Sequence, residues 1–95
     1  MFTMGVETLE GQSGILRVLV LLLEFGEAHQ ERLDGPRNLY GRIVKASLEK
    51  LESEGLVKRW VDDTVWTPRK MSALTEKGIK VAEKVKEIDR LLSLK

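Results

Sequence analysis

The chain has 95 residues, which is enough for one domain but leaves no room for a second hydrophobic core. It contains no cysteine, which excludes disulfides, thiolate metal sites and a cysteine nucleophile. The formal net charge of +1 indicates neither a nucleic acid nor a membrane as partner. The charge is unevenly spread, however. Residues 1–34 carry a net charge of −4, residues 35–80 a net +4 and residues 81–95 a net +1.

The most apolar stretch covers residues 15–23 and is interrupted by Arg17. It is far shorter than the roughly 20 residues that a membrane-spanning helix needs. The first 14 residues are acidic and lack the basic start of a signal peptide. We therefore expect a cytoplasmic protein with no membrane partner.

The first predicted element is a helix from Ile15 to about Gly26, preceded by an arm over residues 1–13. Nearly every position of this helix is apolar, so neighbours must cover it on more than one side. A buried strand is the competing interpretation, but the length favours a helix. Ser13 is the expected N-cap.

A short polar segment follows at residues 28–33 and is ended by Asp34-Gly35-Pro36. Residues 39–54 carry a helical apolar stripe, for which Asn38 is a possible cap and Gly55 the expected C′ glycine. Gly41 leaves open whether this stretch is one helix or a short helix, a turn and a longer helix.

The composition then predicts a β-hairpin with a protruding, basic connection. Its first strand covers residues 56–61 and is followed by a turn at Asp62-Asp63-Thr64. Residues 65–67 restart the strand, Pro68 interrupts it, and residues 70–74 complete the return. Trp60 and Trp66 lie on this hairpin, where we expect them to pack it onto the rest of the domain.

The last predicted helix runs from Glu76 to about Leu94, with Thr75 as its N-cap. Its apolar residues are spaced by four, three and four positions. This stripe packs either on its own domain or, together with the first helix, against a second copy of the chain. We favour the second copy, which would be contacted by Leu16, Leu23, Val81, Val85, Ile88, Leu91 and Leu92.

Two segments resemble the MarR-like superfamily of winged helix-turn-helix proteins. Residues 47–59 contain a leucine pair, charged residues, Gly-Leu-Val and a basic residue, which is similar to the end of the recognition helix and the first wing strand. Residues 67–78 contain a basic pair and Leu-Thr-x-x-Gly, similar to the wing return. Small archaeal winged-helix dimers are similar in size, and PadR-type regulators share the Gly-Leu-Val segment.

The resemblance implies an α+β fold that is mostly α, with a three-helix core, a two-stranded β-wing and a long C-terminal dimerisation helix. The arm would cover residues 1–13, the winged helix-turn-helix domain residues 14–74 and the dimerisation helix residues 75–95. Two departures from the family pattern are the Gly35-Pro36 pair within the helix-turn-helix unit and the short chain.

The resemblance also implies that the N-terminal half of the third helix enters the major groove of DNA. Arg42 is the best candidate for reading a guanine edge, because its guanidinium can donate two parallel hydrogen bonds. Glu49 either accepts from cytosine or pairs with a neighbouring lysine. The recognition-helix candidates are Asn38, Tyr40, Arg42, Lys45, Ala46 and Glu49. The wing and backbone candidates are Arg37, Arg69 and Lys70.

Enzymatic interpretations find little support, since His29 is the only histidine and the chain has neither a P-loop nor a dinucleotide fingerprint. We expect no catalysis, no metal and no cofactor, and the sequence specifies no small-molecule effector. The predicted function is sequence-specific binding of double-stranded DNA as a homodimeric transcriptional regulator. The alternatives are a winged-helix module that binds proteins and a sequence-indifferent architectural DNA-binding protein.

Overall fold

The computed structural model describes residues 9–35, 39–64 and 66–94. Four helices and three strands make up the main part of these ranges. In chain order they are α1 (Ile15–Phe25), β1 (Glu27–His29), α2 (Gln30–Leu33), α3 (Gly41–Ser53), β2 (Val57–Asp62), β3 (Arg69–Leu74) and α4 (Glu76–Leu92).

Helix α1 forms the centre of the hydrophobic core, and α3, α4 and β3 pack around it. The predicted helix is confirmed, and its burial on several sides explains why almost every residue is apolar. The predicted Ser13 cap is wrong. The N-cap is Gly14, whose φ of 82° favours glycine, and the carbonyl of Ser13 instead accepts a hydrogen bond from the Ser47 hydroxyl at 3.3 Å.

The antiparallel sheet has three strands in the order β1-β3-β2, one strand more than the predicted wing. Strand β1 pairs with β3 and places Ala28 opposite Ser72, with both residues buried. His29 ends this strand and caps α2, because its Nδ1 accepts a hydrogen bond from the Arg32 amide at 3.2 Å. Three residues are too few to show strand alternation, so the sequence pattern did not predict β1.

Helix α3 is a single helix that begins at Gly41. The stretch is therefore not divided into a short helix, a turn and a longer helix. Its predicted apolar stripe is buried at Val44, Leu48 and Leu51. Gly55 ends the helix as predicted, with a φ of 77°. The Leu56 amide donates to the Leu51 carbonyl at 2.9 Å, which is the hydrogen bond of a Schellman motif.

Strands β2 and β3 form the predicted hairpin, in which Asp62 pairs with Arg69 at the outer end. Strand β3 begins directly after Pro68, so residues 66–68 belong to the connection. Thr75 caps α4 as predicted, since its hydroxyl accepts from the Gly78 amide at 3.0 Å. Within the described ranges, no helix has both the length and the apolar character required to span a bilayer.

Candidate nucleic-acid interface

The outward face of α3 carries charged side chains directly opposite the buried apolar stripe. Arg42, Lys45 and Glu49 are exposed, and Ala46 is half-buried beside them. Residues spaced by three and four positions share one face of a helix, so these four candidates form one surface. The structure therefore places two cations, one carboxylate and a small residue on the same exposed face of α3. The opposite face of the helix packs in the core.

The N-terminus of α3 adds positive potential to the same surface. Tyr40 occupies the N-cap position, is 64% exposed and makes no side-chain capping bond. No acidic residue lies in the first helical turn. The helix dipole at this end favours an anion, and the Asp34 carboxylate, which lies close to Gly41, is already beside it. The two remaining candidates near this end, Arg37 and Asn38, lie outside the described residues.

The wing contributes two exposed cations, Arg69 and Lys70, at the start of β3. Asp62 lies opposite Arg69 at the end of β2. The Thr64 hydroxyl donates to the Asp62 carboxylate at 2.6 Å and the Thr64 amide at 3.0 Å. These bonds lower the pKa of the Asp62 carboxyl, and the nearby Arg69 charge lowers it further. Asp62 therefore stays ionised and shapes the turn at the wing tip.

An ion pair connects the wing to α3. A guanidinium nitrogen of Arg59 on β2 lies 3.5 Å from a carboxylate oxygen of Glu52 on α3. Lys58 alternates with Arg59 along the strand and is exposed. Arg59 therefore contacts a residue of its own domain. The role of Glu52 was not predicted from the sequence. Its position shortly before the Gly55 turn, which folds β2 back along α3, is the feature that could have indicated it.

The candidate dimer residues fall into two groups. Leu16, Ile88, Leu91 and Leu92 are exposed, and Leu92 retains 80% of its accessible surface. The other three are partly buried against the chain's own core. These three are Leu23, Val81 and Val85. A groove of about 130 Å³ lies between α1 and α4, with Leu16, Ile88 and Leu92 in its lining.

The two tryptophans differ from the expectation that they pack the wing onto the domain. Trp66 is 100% exposed, so that expectation is wrong for this residue, and Trp60 is 37% exposed. Trp60 lies within β2 and pairs with Met71, whereas Trp66 lies in the connection before β3. Strand composition identified the hairpin, but it could not show that residues 66–68 extend beyond the paired part.

No group of three or more histidine, aspartate or glutamate side chains in the described part of the chain is arranged to hold a metal ion. The polar cleft beside the wing has a volume of about 460 Å³ and mixes charges of both signs, with Glu31, Arg69 and Lys70 in its lining.

No protein-family profile matches the chain, and no curated protein sequence matches it. Solved structures do match. A transcriptional regulator homologue from Pyrococcus horikoshii has 23% identity and a TM-score of 0.71, and the match covers 93% of this chain and 90% of that chain. A MarR-family regulator described as putative, from Enterococcus faecalis, has 21% identity and a TM-score of 0.73, with coverage of 90% and 76%.

A MarR-family transcriptional regulator from Silicibacter pomeroyi has 24% identity and a TM-score of 0.73. The match covers 94% of this chain but 58% of that protein, so this chain spans little more than half of its length. These structures confirm the predicted fold class. The chain has the winged-helix fold of the MarR-like regulators.

Proposed function

We propose that this protein binds double-stranded DNA sequence-specifically as a homodimeric transcriptional regulator in the cytoplasm. The observation that carries the proposal is the outward face of α3, where Arg42 and Lys45 are exposed opposite a fully buried stripe. A helix held in this way can enter the major groove as a rigid unit, because its apolar face is fixed in the core.

Each part of the surface has a distinct role in this proposal. Arg42 donates two parallel hydrogen bonds to a guanine edge, and Lys45 contacts a base edge or a phosphate. The half-buried Ala46 allows the helix to approach the bases closely. Glu49 accepts from cytosine or orients Lys45, which lies one helical turn before it. Tyr40 and the N-terminus of α3 contact the DNA backbone.

The wing follows the adjacent backbone, where Arg69 and Lys70 neutralise phosphates. The Arg59–Glu52 ion pair connects β2 of the wing to α3, and β3 pairs with β2. The dimer forms through the apolar groove between α1 and α4, since a second copy would cover Leu16, Ile88 and Leu92.

Binding to duplex DNA across a salt series tests the proposal. We expect measurable affinity at about 50 mM salt and a steep, linear fall of log K with log salt concentration. Absence of binding at low salt, or binding that hardly responds to salt, would contradict it. An architectural protein would show the same salt dependence but little preference among sequences.

A further inference from the structure

Trp66 is the most exposed large apolar side chain in the described part of the chain, with 100% of its surface accessible. It lies in the connection between β2 and β3, at the far end of the wing. A tryptophan in this position contributes nothing to the core, although its ring is among the largest apolar surfaces that a side chain can bury on binding.

The charge at the wing tip is balanced. Asp62 and Asp63 carry two negative charges, and Arg69 and Lys70 carry two positive charges. Asp62 is held by Thr64 and is the register partner of Arg69 across the hairpin. The net charge of these four residues is therefore zero, so Arg69 and Lys70 are the phosphate-binding groups of the tip and Trp66 is its apolar group.

We propose that the indole ring of Trp66 enters the minor groove beside the recognition site and packs against sugar and base atoms there. The inference rests on the proposed DNA-binding function and adds a residue that determines both affinity and sequence preference. Arg69 and Lys70, three and four residues further along the chain, hold the phosphates that border this groove.

The structure holds the base of the tip firmly enough for such a contact. Strands β2 and β3 remain paired as far as Asp62 and Arg69. Pro68 restricts both its own φ and the conformation of Thr67, so the segment that joins Trp66 to β3 has little freedom. The Arg59–Glu52 ion pair connects β2 to α3.

An apolar side chain in the minor groove partly unstacks a base step, and pyrimidine–purine steps unstack most easily. The proposal therefore predicts a preference for a TA or CA/TG step at the position that the wing reaches. This preference would arise outside the bases that α3 contacts.

The test measures the affinity of the full chain for a duplex selected by the wild-type protein, over a range of salt concentrations. We expect W66A to weaken binding up to about tenfold, as for the loss of an aromatic packing contact, without changing the salt dependence. W66F should retain most of the affinity. Val61, also exposed on the hairpin, provides a matched control in V61A, which should bind like wild type.

The double variant R69A/K70A distinguishes the contribution of charge from that of the ring. It should reduce the salt dependence of binding, whereas W66A should leave the salt dependence unchanged. In a W60F background Trp66 is the only tryptophan, and duplex DNA should quench its fluorescence. If W66A retains wild-type affinity and flanking preference, or if the fluorescence does not change on binding, the inference is wrong and Trp66 serves another partner.

The two proposals fail in different ways. If the wild-type protein binds no duplex, the proposed function and this inference are both overturned. If wild type binds, R42A/K45A abolishes binding and W66A has no effect, then the proposed function stands and the Trp66 inference alone is overturned.

Discussion

The hydroxyl of Thr75 donates a hydrogen bond to the carbonyl of Gly55 at 2.7 Å, and this bond joins the first turn of α4 to the end of α3. The same oxygen accepts from the Gly78 amide at 3.0 Å, and the Thr75 amide donates to the Leu56 carbonyl at 3.0 Å. In the proposed dimer, α4 lies at the interface and α3 on the DNA. These hydrogen bonds of Thr75, called the joint below, therefore set the distance between the recognition helices of the two copies.

Replacing Thr75 by valine should destabilise the protein by about 1–2 kcal/mol, because both the helix cap and the bond to Gly55 are lost. T75S keeps the hydroxyl and is the matched control. Urea unfolding followed by circular dichroism measures the difference in free energy of unfolding. Equal stability of T75V and T75S would show that the joint contributes nothing.

Gly78 should not tolerate a side chain, since a Cβ atom built there overlaps the carbonyl oxygen of Leu56. G78A should cost about 2 kcal/mol or more, because α4 has to move away from the α3–β2 turn. The control is G41A, whose Cβ would have the Asp34 carboxylate at 3.6 Å as its nearest neighbour. Thermal unfolding should show a clear decrease for G78A and little change for G41A, and similar decreases for both would contradict this explanation.

The joint also shows how far the sequence predicts the structure. The position of Thr75 just before the last helical stretch correctly predicted its cap, and the apolar periodicities predicted α1, α3 and α4, because each feature depends on residues close together in the chain. Strand β1 was missed because its formation depends on pairing with β3, more than forty residues later. Ser13 was wrongly assigned as a cap because the close approach of Ile43 to Gly14 is a tertiary contact.

The candidate site was predictable to a similar extent. Helical spacing placed Arg42 and Lys45 opposite the core stripe, and the structure places them on the exposed face. The exposure of Trp66 and the Arg59–Glu52 ion pair were not predictable, since both depend on where the strands stop pairing and how β2 folds back along α3.

The double variant R42A/K45A should lose DNA affinity and keep its fold and oligomeric state. The slope of log K against log salt should become shallower by up to about two, because two phosphate or base contacts are removed. The control is K80A/K84A, which removes two exposed lysines of α4. Titration of labelled duplex should show wild-type affinity for the control, and equal losses in both variants would argue against α3 as the reading surface.

The variant I88E should convert a dimer into monomers, because it places a carboxylate in the apolar groove between α1 and α4. Ile79 on the same helix is exposed, and it is not among the residues that line this groove. I79E is therefore the matched control. Light scattering at micromolar concentration should give twice the mass of one chain for wild type and I79E, and one chain for I88E. A monomeric wild-type protein would contradict the dimer.

Asp62 should titrate below the ordinary aspartate range, because the Thr64 hydroxyl and amide bind its ionised form. A lowered folded-state pKa contributes stability above the unfolded pKa, and this stability is lost as the pH falls through the folded pKa. T64A removes the hydroxyl bond and should move the Asp62 pKa back toward its usual range. NMR titration of the carboxyl carbon measures this shift, and an identical pKa in both proteins would show that the hydroxyl has no such effect.

Selection of bound sequences from a random pool of duplex DNA shows whether α3 reads DNA. We expect an enriched inverted repeat whose half-sites are centred about one helical turn apart, each with a guanine that becomes less enriched when R42A is used in the selection. A pool that shows no enriched sequence, or an enriched motif that is the same for wild type and R42A/K45A, would contradict the claim that α3 reads DNA.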